Sequence, residues 1–100
     1  MPREEERVPY YTEIVLESAA GMRGARISDV SPGGCYVDTI SPAIEGEEIS
    51  FEFKNPMAAR LKFTGTVAYV LPNLGFGIKF TDLSEQHKAA IDQIMKAAVQ

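Results

Sequence analysis

Five residues suited to forming turns and hydrogen bonds stand close together in the first half of this 100-residue chain. They are Asp29, Ser31, Pro32, Gly33 and Gly34. Proline at the second position of a turn and glycine at the third predict a type II turn over residues 31–34, with a positive φ at Gly33. The side chains of Asp29 and Ser31 can bond the backbone N–H groups that follow them. A well-specified hairpin connection therefore explains the stretch on structural grounds alone.

A binding role is the second interpretation of the same residues. Asp29 offers hydrogen-bond acceptors only, Ser31 both donates and accepts, and the glycines leave backbone N–H groups uncovered. A carboxylate suits the N1–H and N2–H₂ donors of a guanine edge, and free N–H groups suit a ribose hydroxyl or a phosphate oxygen. These residues could therefore hold a nucleotide from one side.

Two arginines near the N-terminus offer the complementary charge. Arg3 and Arg7 are spaced four apart in "MPREEER", a charged, proline-interrupted segment that predicts a mobile arm or a solvated start of the first strand. Two guanidinium groups can fork onto phosphate oxygens or stack on a purine face. Considered alone, such a pair in a charged terminal segment is explained more simply as solvated surface charge.

Residues that could support catalysis are few and isolated. Cys35 is the only cysteine and His87 the only histidine, which excludes a disulfide framework and gives little support to nucleophile–histidine catalysis. Cys35 is expected to be a small buried hydrophobic residue in a strand, and His87 a surface residue of a helix. Clustered carboxylates are expected to be solvated charge; they are Glu4–Glu6, Glu45, Glu47 and Glu48. We therefore expect no enzyme, no cofactor and no metal site.

Composition bounds the class of protein. A mass of 11.0 kDa and a hydrophobic fraction of 45% predict a single domain with one modest core. The formal net charge of −4 argues against binding to a nucleic-acid polymer or to anionic lipid. The chain has no apolar run long enough to span a bilayer, and its N-terminus lacks the apolar core of a signal peptide. A reduced, cytoplasmic protein without membrane insertion is the expectation.

The elements that must position these residues are mostly strands. Alternating or β-branched runs predict six of them, at residues 8–19, 25–30, 35–40, 48–54, 60–71 and 76–80. Gly21 and Gly24 are expected to bracket a turn, and Gly65 to mark a bulge or tight bend inside the fifth strand. Six short strands closed by one helix predict a small antiparallel barrel or sandwich.

The last part of the chain predicts a helix over residues 84–98. It contains no glycine or proline, and its apolar residues recur with a period near 3.6. Ser84 or Asp82 could supply the N-cap. The apolar residues expected to pack against the strands are Ile91, Ile94, Met95 and Ala98.

Read together, the two polar motifs resemble those of the PilZ domain family. Arg3 and Arg7 match its Arg-x-x-x-Arg pattern, and Asp29, Ser31 and Gly34 match the following Asp-x-Ser-x-x-Gly. Later features of the family appear as "GTVAYV" at 65–70 and "GFGIKFTDL" at 75–83, before the closing helix. The resemblance covers nearly the whole chain, so it implies one PilZ-like domain over residues 1–100, with an arm at 1–8 and a helix at 84–98.

The resemblance implies a receptor for cyclic di-GMP, built on a six-stranded antiparallel β-barrel with a C-terminal α-helix. Arg3 and Arg7 would clamp phosphates and guanine from the arm, which orders over the ligand and changes a surface shown to an unidentified downstream protein. The loop contacts would come from Asp29, Ser31 and Gly34, while Gly33 would shape the backbone. Tyr69 stands where members often carry a tryptophan, so it would pack against a base or else belong to the core. A monomer or weak homodimer is expected.

Two features depart from the family's pattern. Glu4–Glu6 place acidic charge between the two arginines, and Pro2 stands where some members carry a further basic residue associated with stacked ligand pairs. Pro2 therefore favours one ligand per site. Family members with decayed motifs act in pilus assembly without binding nucleotide, so a protein-interaction adaptor of that kind is the alternative function. A single-stranded nucleic-acid binder is disfavoured by the net charge and by the lack of a basic, aromatic groove.

Overall fold

A computed structural model describes residues 7–19, 21–40, 42–53 and 61–98. Arg3, Glu4–Glu6 and Pro2 lie outside this part of the chain, as does Lys54 at the predicted end of the fourth strand. Within it, the chain forms six strands and one helix: β1 Val8–Ser18, β2 Gly21–Ser31, β3 Gly34–Asp38, β4 Glu48–Glu52, β5 Lys62–Leu71, β6 Gly75–Thr81 and α1 Glu85–Ala98.

The strands close into an antiparallel barrel in the order β1-β2-β3-β6-β5-β4. Closure is made by a short pairing of β1 with β4, in which Glu17 faces Ser50 and Ser18 faces Ile49. The predicted six-stranded antiparallel barrel with a C-terminal helix is therefore confirmed, and the sandwich is not formed. Alternation is the reason, because each strand directs every second side chain into one shared core.

Phenylalanines dominate the core at one end of the barrel. Phe51, Phe53, Phe63 and Phe80 form a cluster with ring centroids 5.0–6.3 Å apart. Burying each such side chain contributes about 1.5–3 kcal/mol relative to leaving it in water. Cys35 is fully buried on the opposite wall, as predicted, and burial raises the pKa of its thiol.

The helix packs its apolar face against β1 and β2, with Ile91 and Ile94 buried in the same core. Ser84 is the N-cap, because its Oγ accepts a hydrogen bond from the backbone N–H of His87 (3.2 Å). The ring of His87 makes two further hydrogen bonds. Its Nδ1 accepts from the backbone N–H of Ser84 (3.0 Å), and its Nε2 donates to the carbonyl of Lys62 (2.8 Å). The ring also lies edge-on to Phe63 at 4.8 Å. His87, predicted as a surface residue of the helix, is thus half-buried and ties α1 to β5.

The strand pairing contradicts the predictions that Gly24 borders a turn and that Gly65 marks a bulge. β1 and β2 stay paired as far as Ser18 and Gly21, where Gly21 adopts a φ of 115°, while Gly24 lies inside β2 opposite Val15. Gly65 remains in register with its neighbours, and the bulge of β5 lies further along. Gly65 is needed for a different reason, since a β-carbon there would lie 2.5 Å from the carbonyl oxygen of Lys79.

The helix α1 does not have the character of a membrane span. Among the residues that the structure describes, no helix is both long enough and apolar enough to cross a bilayer.

Candidate functional site

Two β-bulges decide which side chains face outward near the predicted motif. The register of β2 against β3 shifts between Ile27 and Asp29, so both Ile27 and Val30 are buried while Asp29 faces outward. The register of β5 against β6 shifts in the same way between Val67 and Tyr69. Strict alternation from the buried Val67 would direct Tyr69 into the core, whereas the extra residue leaves 37% of Tyr69 exposed. The alternative core position of Tyr69 is therefore excluded.

Cross-strand pairing then aligns four residues across the outside of the barrel. Asp29 on β2 faces Tyr36 on β3, and Tyr36 faces Gly77 on β6. Gly77 in turn faces Tyr69 on β5. Neighbouring strands lie about 4.8 Å apart, so the row spans roughly 15 Å. Together with Arg7, the side chains of Asp29, Tyr36 and Tyr69 form what we call the outer-face site.

The two tyrosines of the outer-face site lie over a glycine. A β-carbon at Gly77 would overlap the ring of Tyr69, so only glycine lets the ring lie flat on β6. The rings of Tyr36 and Tyr69 are stacked, with centroids 6.3 Å apart and an interplanar angle of 26°. They present a broad aromatic surface beside the carboxylate of Asp29.

Arg7 and Asp29 form an ion pair at the edge of this aromatic surface. The Nη1 of Arg7 lies 2.5 Å from Oδ1 of Asp29, and the two side chains are 39% and 30% exposed. Partial burial alone would lower the pKa of Arg7, but the charge and hydrogen bond of Asp29 outweigh it and raise that pKa, so the guanidinium stays charged. An ion pair this exposed contributes at most about 1 kcal/mol, so a ligand can replace it at little cost.

Tyr36 belongs to the site although the sequence analysis did not single it out. The hairpin that closes at Ser31 and Gly34 pairs Asp29 directly with Tyr36, so placing the turn would have been enough to find it. Burial, followed by the negative charges of Asp38 and Asp29, raises the pKa of Tyr36. Its phenol therefore stays neutral and able to donate a hydrogen bond at ordinary pH.

The other residues of the second motif lie beneath the surface and hold the turn. Ser31 is 1% exposed, and its Oγ donates to the carbonyl of Gly34 (3.2 Å). A β-carbon at Gly34 would overlap the backbone carbonyl of Ile78, so the glycine permits the close approach of β3 to β6. The carbonyl of Gly33 accepts a hydrogen bond from the backbone N–H of Phe80 (2.8 Å).

The predicted type II turn is wrong. The structure gives positive φ to Gly21, Gly46 and Gly75, and not to Gly33. With Pro32 second and Gly34 fourth, the turn has the residue preferences of type I. The hydrogen bond between Gly33 and Phe80 of β6 fixes the shape of the turn. Turn preferences depend only on the residues of the turn itself, so they do not include this bond.

The structure thus brings three predicted site residues together, and they can do one kind of chemistry. Arg7, Asp29 and Tyr69 meet on the outer face with Tyr36, whereas Ser31, Gly33 and Gly34 support them from the turn. A guanidinium, a carboxylate and an aromatic surface suit binding of a planar, polar anion. In the described part of the chain, no group of three His, Cys, Asp or Glu side chains is placed to hold a metal ion.

The fold defines a class: small closed antiparallel β-barrels of six strands with a C-terminal helix. A family model described as "PilZ domain" matches residues 2–97. The chain therefore belongs to the PilZ domain family. Comparison with curated proteins gives no matching relative.

Three solved structures share the fold at low sequence identity. The PilZ domain of CeSA from a cellulose-synthesizing bacterium is 16% identical with a TM-score of 0.71, covering 95% of this chain and 99% of that one. The PilZ domain of YcgR from Escherichia coli, solved with c-di-GMP, is 15% identical with a TM-score of 0.81, covering 99% of this chain and 92% of that one. PlzA of Borreliella burgdorferi, also in complex with c-di-GMP, is 15% identical with a TM-score of 0.73, covering 94% of this chain but 41% of that one.

Proposed function

We propose that this PilZ domain is a cyclic di-GMP receptor that binds the nucleotide on the outer-face site. The observation that carries the proposal is the ion pair of Arg7 with Asp29 beside the stacked Tyr36 and Tyr69. It places one arginine of the first motif in contact with the aspartate of the second. Membership of the family and the two neighbours solved with c-di-GMP support the same ligand.

Each group of the site has a counterpart in the ligand. Cyclic di-GMP carries two guanine bases and two phosphates, so it offers hydrogen-bond donors, flat aromatic faces and two negative charges. Asp29 accepts from the N1–H and N2–H₂ groups of one guanine, and Tyr69 packs against a base. Arg7 leaves Asp29 for the phosphates, where Arg3 joins it as the second cation of the clamp.

The residues of the turn act mainly through its shape. Ser31 and Gly34 are buried, so in this proposal they hold the backbone of the loop in position, and a contact with the ligand goes through the backbone around Gly33. The arrangement keeps Asp29 and Tyr36 in register while the ligand is exchanged. Cys35 lies in the core behind them and takes no part.

The signal in this proposal is the ordering of the arm over the ligand. Fixing a residue costs about 1–2 kcal/mol of backbone entropy, and Arg7 is already placed by Asp29 before binding. Charge-assisted phosphate contacts contribute roughly 1.5–3 kcal/mol each, and base stacking about 1–3 kcal/mol. The closed arm then presents a changed surface to a downstream protein in the cytoplasm.

Calorimetric titration of the chain with cyclic di-GMP tests the proposal. We expect saturable binding, strongly weakened by Arg3→Ala, Arg7→Ala or Asp29→Asn. Arg26→Ala is the matched control, since Arg26 lies on the same strand as Asp29 but pairs across the sheet with Glu13 and Asp38. Absence of binding at tens of micromolar nucleotide would contradict the proposal and favour the adaptor alternative, which predicts no rise in Tm on adding nucleotide.

A further inference from the structure

The most exposed apolar side chains are concentrated at one end of the barrel. Among the described residues, five large apolar side chains are between 65% and 84% exposed: Tyr11, Met22, Ile40, Ile44 and Leu74. Met22 lies at the tip of the β1–β2 hairpin, and Leu74 in the turn between β5 and β6. Ile40 and Ile44 lie in the loop between β3 and β4. We call these four residues the apolar end; Tyr11 lies apart from them on the outside of β1.

Hydrogen bonds hold the segments of the apolar end together. The backbone N–H of Thr39 donates to the carbonyl of Leu74 (3.2 Å), which fixes the start of the β3–β4 loop against the β5–β6 turn. Nη1 of Arg23, next to Met22, donates to the carbonyl of Pro42 (2.6 Å) in the middle of that loop. The loops that carry the exposed side chains are therefore held in place by hydrogen bonds to one another.

Acidic charge lies beside the apolar end, on the side of the β3–β4 loop. Glu45 is exposed in the β3–β4 loop next to Ile44, and Glu48 is exposed at the start of β4. Arg23 does not offset them, because its guanidinium lies against the Pro42 carbonyl and 3.9 Å from a carboxylate oxygen of Glu47. The whole chain carries a formal net charge of −4. The surface thus combines an apolar centre with a negative rim on the side of Glu45 and Glu48.

We infer that the apolar end is a docking surface for a partner protein segment with an apolar centre and lysine or arginine flanks. Exposed apolar surface rimmed by polar residues marks interaction sites, and complementary charge selects the partner. A second copy of this chain would bring the same acids against the rim, and an anionic bilayer would be repelled by them. A cationic, amphipathic segment matches both features.

In the proposed function, the domain needs a surface that contacts a downstream protein, and the apolar end would be that surface. Docking at the apolar end does not itself require bound nucleotide. Leu71, which is also exposed, continues the apolar surface along β5 to Tyr69 of the outer-face site. A nucleotide bound there would bring two further negative charges near the rim and strengthen the attraction for a cationic segment. The affinity of the nucleotide-free chain for such a segment is therefore the first quantity to measure.

The test is a titration of the ¹⁵N-labelled, nucleotide-free chain with a synthetic peptide that has a leucine-rich centre and three lysines at each end. We expect saturable shifts at Met22, Ile40, Ile44 and Leu74, and at least tenfold weaker binding to the double variant Ile40→Ser, Leu74→Ser. Tyr11→Ser is the matched control, since Tyr11 is equally exposed outside the apolar end. The charge reversal Glu45→Lys with Glu48→Lys should transfer the preference to a peptide with glutamate flanks.

Several results would overturn the inference. These are shifts confined to another surface, equal binding by the double variant, and sedimentation showing that the apolar end instead joins two copies of the chain. Stronger binding of phosphatidylglycerol vesicles than of the lysine peptide would do the same. Circular dichroism and Tm establish that each variant is folded. Because the peptide is titrated without nucleotide, its failure is separate from a failure of cyclic di-GMP binding in calorimetry.

Discussion

At the scale of single residues, the outer-face site depends on aromatic surface as well as on charge. The family motifs name arginine, aspartate, serine and glycine, but the structure sets Tyr36 and Tyr69 beside them, stacked at 6.3 Å. Arg7 and Asp29 contact each other in the same place. In the proposed function, charge therefore selects the phosphates and the guanine edge, while the tyrosines supply the area on which a base can lie.

Tyr69 is predicted to carry a measurable share of nucleotide affinity. Replacing it with alanine removes a stacking partner worth about 1–3 kcal/mol, so the Kd for cyclic di-GMP should rise roughly 5- to 150-fold. Tyr69→Phe keeps the ring and should bind almost as well as the unmodified chain. Met22→Ala, at the tip of the β1–β2 hairpin and opposite Glu17, serves as the control in the same calorimetric titration. Equal affinities for Tyr69→Ala and the unmodified chain would remove Tyr69 from the site.

At the scale of elements, the second motif has a structural task of its own. Gly34 sits where β3 passes closest to β6, and a β-carbon there would overlap the backbone carbonyl of Ile78. The close packing of β3 on β6 therefore depends on Gly34, and in the proposed function the position of Asp29 depends on it too. A substitution at Gly34 will reduce binding even if the residue never contacts a ligand.

Two glycine-to-alanine substitutions test whether Gly34 is required for the close packing of β3 against β6. Gly34→Ala forces β3 and β6 apart and should lower the free energy of unfolding by several kcal/mol, as overpacking against backbone does. Gly24→Ala should be neutral or slightly stabilising, because nothing lies within 4 Å of its β-carbon position. Urea unfolding followed by circular dichroism measures both. A Gly34→Ala variant as stable as Gly24→Ala would show that the packing argument is wrong.

The N-cap of α1 makes a second prediction at this scale. Ser84→Ala removes the acceptor of the His87 backbone N–H and should lower the free energy of unfolding by about 1 kcal/mol. Ser84→Asp restores an acceptor and should recover most of the loss. Thermal unfolding of the three proteins compares them directly, and an unchanged Tm for Ser84→Ala would contradict the assigned cap.

The elements themselves were largely predictable, and their irregularities were not. Alternation of apolar and polar residues, clearest in "EISFEFK", encodes burial directly, so six strands forming a small barrel or sandwich follow from the sequence patterns. The choice of a barrel rests on the resemblance to the family. A bulge adds one residue that carries no pattern of its own, which is why Tyr69 alternated with the core in the sequence but faces outward in the fold. The type II turn predicted at Pro32 and Gly33 is wrong for a related reason, since a hydrogen bond from the backbone N–H of Phe80 to Gly33 determines the shape of the turn.

At the scale of the whole molecule, one buried thiol links stability to pH. Burial raises the pKa of Cys35 above its ordinary value of 9.0. The unfolded chain therefore releases this proton at lower pH than the folded chain, and stability is lost as the pH rises above about 9. We expect the free energy of unfolding to fall by up to about 1.4 kcal/mol per pH unit there.

The contribution of Cys35 can be isolated by replacing it with alanine. The variant removes the titrating group, so the slope of stability against pH should flatten between pH 9 and 10. Urea unfolding at half-unit pH steps gives the slope for both proteins. Identical slopes would mean that another group is responsible, and Tyr36, whose pKa is also raised by burial, would be the next to replace.

The central claim is that this PilZ domain binds cyclic di-GMP on the outer-face site. The most direct measurement is a titration of the ¹⁵N-labelled chain with cyclic di-GMP, followed through the backbone amides. We predict saturable shifts centred on Arg7, Asp29, Tyr36 and Tyr69, with one ligand bound per chain. Unchanged spectra at tens of micromolar nucleotide, or shifts confined to the opposite side of the barrel, would contradict the account.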